Sequence, residues 1–115
     1  MKKKSMVVVF ALLPFFAMAK TKAPDCHSWP MNMAEGWLKN AGIVDIQNLD
    51  EPKTEVKLLA SESKGKDLYT QIYQFVFHAK DGKVYQVITK SDASNEECSM
   101  SEVNSYLVSK SEINY

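Results

Sequence analysis

Arginine is absent from this chain of 115 residues, and all 14 basic residues are lysines. Arginine supplies the planar donor fork with which proteins bind phosphates through two parallel hydrogen bonds. Its absence argues against a dedicated nucleic-acid or phosphate-binding protein. Glycine and proline are also scarce, with four residues of each. The longest apolar run is shorter than the roughly 20 residues that span a bilayer, so we expect no stable membrane insertion. From the absence of arginine we expect no nucleic-acid partner.

The sequence also lacks the common catalytic motifs, namely a Gly-x-Ser-x-Gly elbow, a glycine-rich phosphate loop and a His-Glu-x-x-His pair. Asp25-Cys26-His27 places a thiol beside an imidazole, but a Cys–His nucleophile needs a free thiolate. We expect Cys26 to be oxidised and His27 to lie on the surface. His78 is isolated at the end of a predicted strand. The sequence therefore predicts no catalytic residue, no metal site and no cofactor.

The N-terminus has the organisation of a secretory signal peptide. Lys2, Lys3 and Lys4 form a basic region, Met6 to Phe16 is an apolar run, and Ala17-Met18-Ala19 offers the small residues that signal peptidase accepts. We expect cleavage after Ala19 and a periplasmic or secreted protein. Because the three lysines of the signal are lost, eleven lysines remain against fourteen acidic residues, a net charge of about −3. A mildly acidic surface favours a basic partner through electrostatic steering.

Residues 20–115 are predicted to form a single small α+β domain. A domain of this size buries only about 60–70% of its unfolded surface and gains from a covalent cross-link. The two cysteines of an exported chain allow one pairing, so we predict a disulfide between Cys26 and Cys98.

Apolar residues recur at helical spacing after Ser28-Trp29-Pro30, where either Ser28 or Trp29 is expected to cap a helix. This pattern predicts a helix over residues 30–41, followed by Gly42 in a left-handed conformation. The predicted inward face is Met33, Ala34, Trp37, Leu38 and Ala41. The predicted outward face is Asn32, Glu35 and Lys39.

Four stretches of alternating polarity follow a connector over residues 43–53, in which Ile43, Val44 and Ile46 are expected to pack under the helix. They predict a half-buried strand at 55–60, a long strand at 68–78, a strand at 84–90 after the Asp81-Gly82 turn, and a last strand at 103–109. A polar turn is expected at 61–67 and a polar, acidic loop at 91–97. Short connections make neighbouring strands antiparallel. The predicted fold is one N-terminal helix packed on a four-stranded antiparallel β-meander.

Both faces of the two central strands contain apolar side chains. One face carries Tyr69, Tyr73, Phe75, Phe77 and Tyr85, and the other carries Leu68, Ile72, Val76 and Ile88. The helix covers one face. Either the connector and the termini cover the second, or it binds a partner or forms a homodimer through the sheet.

Residues Ser61 to Tyr69 resemble in a few positions the Ser-Gly-x-x-Tyr loop of bacterial periplasmic lysozyme inhibitors. The first glycine of that loop is missing here, and those inhibitors are all-β whereas this chain has a predicted helix. The resemblance does not place the chain in that family.

These observations favour a small exported binding protein that is not an enzyme, of the periplasmic inhibitor or immunity type, which neutralises a protein partner. An accessory subunit of a cell-envelope assembly is the first alternative. A small exported enzyme or metal-binding protein using His27 and His78 is the second. Loops carry variable binding residues on a fixed scaffold. The predicted partner-binding residues are Lys64, Lys66, Tyr69, Tyr73, Asp92, Glu96 and Glu97.

Overall fold

The computed structural model describes residues 23–112, which form one helix and one four-stranded antiparallel sheet. The predicted fold class is confirmed. The helix α1 spans Ser28–Asn40, and two short 3-10 turns, Ile46–Asn48 and Glu51–Lys53, lead into the sheet. The strands are β1 (Glu55–Gly65), β2 (Leu68–His78), β3 (Lys83–Ala93) and β4 (Asn104–Glu112). The predicted signal peptide, residues 1–19, lies outside this range, so its cleavage stays a prediction.

Helix α1 begins two residues before its predicted start and ends one residue before its predicted end. His27 occupies the capping position, without a side-chain capping bond, and Pro30 lies in the first turn. Proline is tolerated there because the first backbone N–H groups of a helix have no partner within the helix. Gly42 follows the helix with a φ of +73°, a conformation that glycine adopts without a steric penalty.

The buried face of α1 is rotated from the predicted one. Its buried residues are Pro30, Ala34, Glu35 and Leu38, of which Pro30, Ala34 and Leu38 form a ridge of i, i+4 neighbours. The predictions that Met33 and Ala41 point inward and that Glu35 points outward are wrong. Met33 is 41% exposed, whereas Glu35 is only 5% exposed. Small and apolar residues occur on most sides of this helix, so the sequence pattern does not single out one face. Packing against the sheet decides which face is buried.

The sheet has the strand order β1-β2-β3-β4, so every strand pairs with its neighbour in sequence. Strand β2 has the predicted limits, and β3 extends further than predicted at both ends. Strand β4 begins one residue later and ends three residues later than predicted. Gly82, with a φ of +94°, closes the turn between β2 and β3, where the Lys83 N–H donates to the Asp81 carboxylate at 3.1 Å.

Strand β1 differs most from its prediction. It continues through the segment that was expected to be a turn, and all of its residues are exposed rather than alternately buried. The predicted strand at 55–60 is present within β1, but its predicted half-burial is wrong. The polar turn predicted at 61–67 is confined to Lys66 and Asp67, because residues 61–65 continue the strand. The cause is the position of β1 at the edge of the sheet, two strands away from β3, over which α1 packs. Leu59 is an extra residue in the register with β2, between Leu58 and Ala60.

Alternate residues of β2 and β3 face the helix and form the core. Tyr73, Phe75 and Phe77 stack along β2, with ring centroids 5.8 and 5.9 Å apart. Ile43 and Val44 of the connector pack against this core, as predicted. The buried core cluster is Ala34, Leu38, Leu49, Tyr73, Phe75, Phe77, Ala79, Tyr85 and Val87.

A disulfide joins Cys26 to Cys98, as predicted, with an S–S distance of 2.05 Å. It connects the segment before α1 to the loop between β3 and β4 across a sequence separation of 72 residues. No helix within residues 23–112 is long and apolar enough to cross a membrane.

Candidate interaction surface

Two connections meet at one end of the sheet and form a single surface, which we call the loop end: the β1–β2 turn at Lys66 and Asp67, and residues 94–97. The Asp67 carboxylate accepts hydrogen bonds from the Asn95 backbone N–H at 3.1 Å and from Asn95 Nδ2 at 2.7 Å. Asp67 has a φ of +46°, a conformation that aspartate tolerates better than most residues. This contact ties two different hairpins together.

Hydrogen bonds among residues 94–97 also order the loop end. Ser94 accepts hydrogen bonds at its Oγ from the backbone N–H of Glu96 at 3.2 Å and of Glu97 at 2.9 Å. The Ser94 N–H donates to the Glu97 carbonyl at 2.8 Å, and the next residue, Cys98, carries the disulfide. Glu96 and Glu97 are exposed on this small turn. A hydrogen bond from Ser99 to the Glu97 carboxylate lowers the pKa of Glu97 and favours its charged form.

Of the seven predicted partner-binding residues, four are exposed at or beside the loop end: Lys64, Lys66, Glu96 and Glu97. Lys64 pairs with Glu62 at 3.3 Å.

The other three predicted residues are held inside the structure. Tyr69 and Tyr73 lie in the core at 7% and 3% exposure, and their role in partner binding stays a prediction. The Tyr73 hydroxyl accepts a hydrogen bond from the Cys26 N–H at 3.2 Å. Asp92 is half-buried and accepts a hydrogen bond from Thr70 at 2.7 Å, which gives it a structural role.

Sequence reasoning missed Asp67 and Asn95. Asp67 was placed in a polar turn and Asn95 in a polar loop, which is correct locally. Their contact joins residues 28 positions apart. No local pattern in either segment signals such a pairing, because it depends on the β1–β2 turn and the connection after β3 lying at the same end of the sheet.

The two histidines bind different carboxylates. His27 Nδ1 lies 2.8 Å from Asp25, and His78 Nε2 lies 2.7 Å from Glu55. The hydrogen bond with His27 lowers the pKa of Asp25. Within the part of the chain that the structure describes, no three His, Cys, Asp or Glu side chains are placed to hold a metal ion.

A groove of about 320 Å³ separates the segment before α1 from β1 on the helix side of the sheet. It exists because α1 leaves β1 uncovered. Its walls are apolar at Val56 and Leu58, which are 41% and 44% exposed, and polar at Asp25 and His27.

The opposite face of the sheet is open. Leu68, Ile72 and Val76 of β2 and Ile88 of β3 are half-buried on this face, and the 3-10 turn Glu51–Lys53 contacts β2. Tyr106 of β4 is 56% exposed.

The buried carboxylate of Glu35 has an unusual pKa. Its Oε2 has no hydrogen-bond partner among the described residues. Burial first, and then the neighbouring Glu51 carboxyl, raise the pKa of Glu35 from 4.5 to about 7. Both causes disfavour the charged form of Glu35.

We expect Glu35 to make the folded state less stable at high pH. Between pH 4.5 and about 7 the folded chain binds more protons at Glu35 than the unfolded chain, so the free energy of unfolding falls as pH rises. Glu35→Gln keeps the shape and removes the titration. The variant should unfold at a higher urea concentration than wild type at pH 8, with little difference near pH 4.5. Glu102→Gln, at an exposed position, is the control. If the free energy of unfolding of Glu35→Gln and of wild type changed with pH in the same way, the prediction would be wrong.

No protein-family model, no curated protein and no solved structure matches this chain. Its function is therefore argued from its own residues.

Proposed function

We propose that this chain is an exported, non-enzymatic binding protein of the inhibitor or immunity type, which holds a protein partner at the loop end. The observation that carries the proposal is the contact of Asp67 with Asn95, which fixes two hairpin connections against each other. Loops held on a rigid scaffold bind without a large cost of ordering. The disulfide at Cys98 adds a covalent anchor next to this surface.

Charge supports a partner with basic groups. Glu96 and Glu97 are exposed at the loop end, and the chain after the predicted signal peptide carries a net charge of about −3. Opposite charge on two proteins raises the rate at which they meet more than it raises their affinity. The proposal takes the predicted signal peptide at residues 1–19 to direct export, so the expected partner lies outside the cytoplasm.

The first step of the test is capture of a partner from a cell-envelope fraction by the immobilised chain, followed by measurement of association kinetics. We expect Glu96→Lys to lower the association rate constant, more strongly at low salt. We expect Asp67→Gly to speed dissociation, because it removes the carboxylate that accepts hydrogen bonds from both the backbone N–H and the Nδ2 of Asn95, while glycine tolerates the φ of +46° at this position. Asp81→Lys is the matched control, since it reverses a charge at the opposite end of the sheet. Asp92 is unsuitable because it accepts the hydrogen bond from Thr70.

Two results would count against the proposal. Unchanged kinetics for Glu96→Lys and Asp67→Gly would exclude the loop end as the contact surface. Turnover of a small substrate that depends on His27 or His78 would replace the binding function with an enzymatic one.

A further inference from the structure

The outer edge of β1 exposes a long strand with apolar side chains. Val56, Leu58 and Leu59 are 41%, 44% and 44% exposed. Within residues 23–112 no strand pairs with this edge, since β1 is the first strand of the sheet order. A long edge of unpaired backbone groups is a template for another strand.

The extra residue Leu59 puts four charged side chains of β1 on one face. Glu55, Lys57 and Glu62 lie opposite residues of β2 that point away from the helix. A second register shift, between Ser63 and Gly65, leaves Lys64 without a Cα partner on β2. The Lys64 Nζ lies 3.3 Å from the Glu62 carboxylate, and we take this contact to place Lys64 on the same side as Glu62. Without the extra residue, the strand would alternate differently and Glu62 and Lys64 would point to the helix side. The face therefore carries negative, positive, negative and positive charges in order along the strand.

We propose that β1 pairs antiparallel with β1 of a second copy of this chain, about a two-fold axis at Ala60, to form a continuous eight-stranded sheet. In this register Glu55 lies opposite Lys64 of the second copy, and Lys57 lies opposite Glu62 of the second copy. Two-fold symmetry doubles these contacts to four pairs of opposite charge. Opposite charges on directly facing residues of an antiparallel pair stabilise it.

The helix side of the same register is also compatible with pairing. Val56 lies opposite Ser63 of the second copy, and Leu58 lies opposite Ser61 of the second copy. Because these serines are small, the second strand fits beside the groove without filling it. It covers the apolar side chains of Val56 and Leu58, which the monomer exposes.

The charges select this register over its neighbours. A slip of two residues keeps the same faces together but sets Glu55 opposite Glu62, or Lys57 opposite Lys64, and like charges facing each other destabilise a strand pair. The other edge offers no such match. The charged residues of β4 are confined to its last three positions, Lys110 to Glu112. The pairing is thus specific to β1, and it does not depend on the function proposed for the loop end.

The test uses two single charge reversals and their mixture, measured by sedimentation velocity on the disulfide-bonded chain without its signal peptide. Lys57→Glu and Glu62→Lys each turn two attractive pairs into repulsive ones. Each variant alone should show a dimer dissociation constant raised at least about tenfold. An equimolar mixture restores opposite charges at every position and should recover the wild-type constant. Lys90→Glu, on the same face two strands away, should leave the constant unchanged.

A cross-link provides a second readout. Ala60 faces itself across the two-fold axis, and Cα atoms of facing residues in antiparallel strands lie about 4.5–5.5 Å apart, which suits a disulfide. Ala60→Cys should form a covalent dimer on mild oxidation, whereas Lys90→Cys should not.

Three outcomes would overturn the proposal. The first is a wild-type chain that stays monomeric at its highest soluble concentration. The second is a dimer that both charge reversals leave unchanged, which would place the interface on another surface such as the open face of the sheet. The third is a mixture of the two variants that fails to associate.

Discussion

Loss of the Cys26–Cys98 disulfide is expected to lower the melting temperature by more than 10 °C. The bond closes a loop with a sequence separation of 72 residues, for which the chain-entropy account gives about 4 kcal/mol of stabilisation. In a domain of roughly 60–100 residues, each kcal/mol shifts the melting temperature by about 4–8 °C. Cys98→Ser is the variant of choice, because Cys98 is half-buried whereas Cys26 is only 4% exposed.

Thermal unfolding followed by circular dichroism measures the effect. Wild-type chain treated with a reductant is the matched control, since it loses the cross-link and keeps both side chains. The reduced chain and Cys98→Ser should melt at similar temperatures. If reduction left the melting temperature of the wild type unchanged, the disulfide would contribute little and the fold would rest on its core alone.

The second large effect is expected at Leu38, where α1 meets the sheet. Leu38 is fully buried in the core cluster, and Leu38→Ala should lower the free energy of unfolding by about 2–5 kcal/mol, as other buried leucine truncations do. Trp37 is only half-buried, so Trp37→Ala should cost less than Leu38→Ala despite its larger side chain. This order reverses what the sequence pattern alone implies.

Urea unfolding curves for the three single variants Leu38→Ala, Trp37→Ala and Met33→Ala would check the rotation of α1. Met33→Ala is the control on the same helix, because Met33 is 41% exposed and alanine is a good helix former. A larger loss in the free energy of unfolding for Trp37→Ala than for Leu38→Ala would mean that the helix packs on the sheet through the face that contains Trp37.

The sequence predicts the inner part of this fold better than its edges. Strand β2 alternates aromatic and aliphatic residues, and both of its neighbours are strands, so the period of two and the observed burial agree. Strand β1 contains the polar run Ser61 to Lys64, which is typical of a turn, yet an edge strand tolerates exposed polar residues on both faces. The local pattern could not reveal that β1 lies at the edge.

The candidate site was predictable only in part. Exposed acidic residues in a loop, such as Glu96 and Glu97, are recognisable from composition alone. The burial of Tyr69 and Tyr73 depends on which face of the sheet the helix covers, and the contact of Asp67 with Asn95 depends on the pairing of three strands. Both are consequences of tertiary structure that a single sequence does not encode locally.

The strand order β1-β2-β3-β4 has a consequence for the folding rate. Each strand pairs with the one next to it in sequence, so the sheet is assembled from contacts that require only short loops to close. The contacts of longest range are those of α1 with β3 and the bond between Cys26 and Cys98. The hairpins are therefore expected to form rapidly while both thiols are still reduced. Docking of the helix then brings the cysteines together, and oxidation locks a chain that has already reached its native topology.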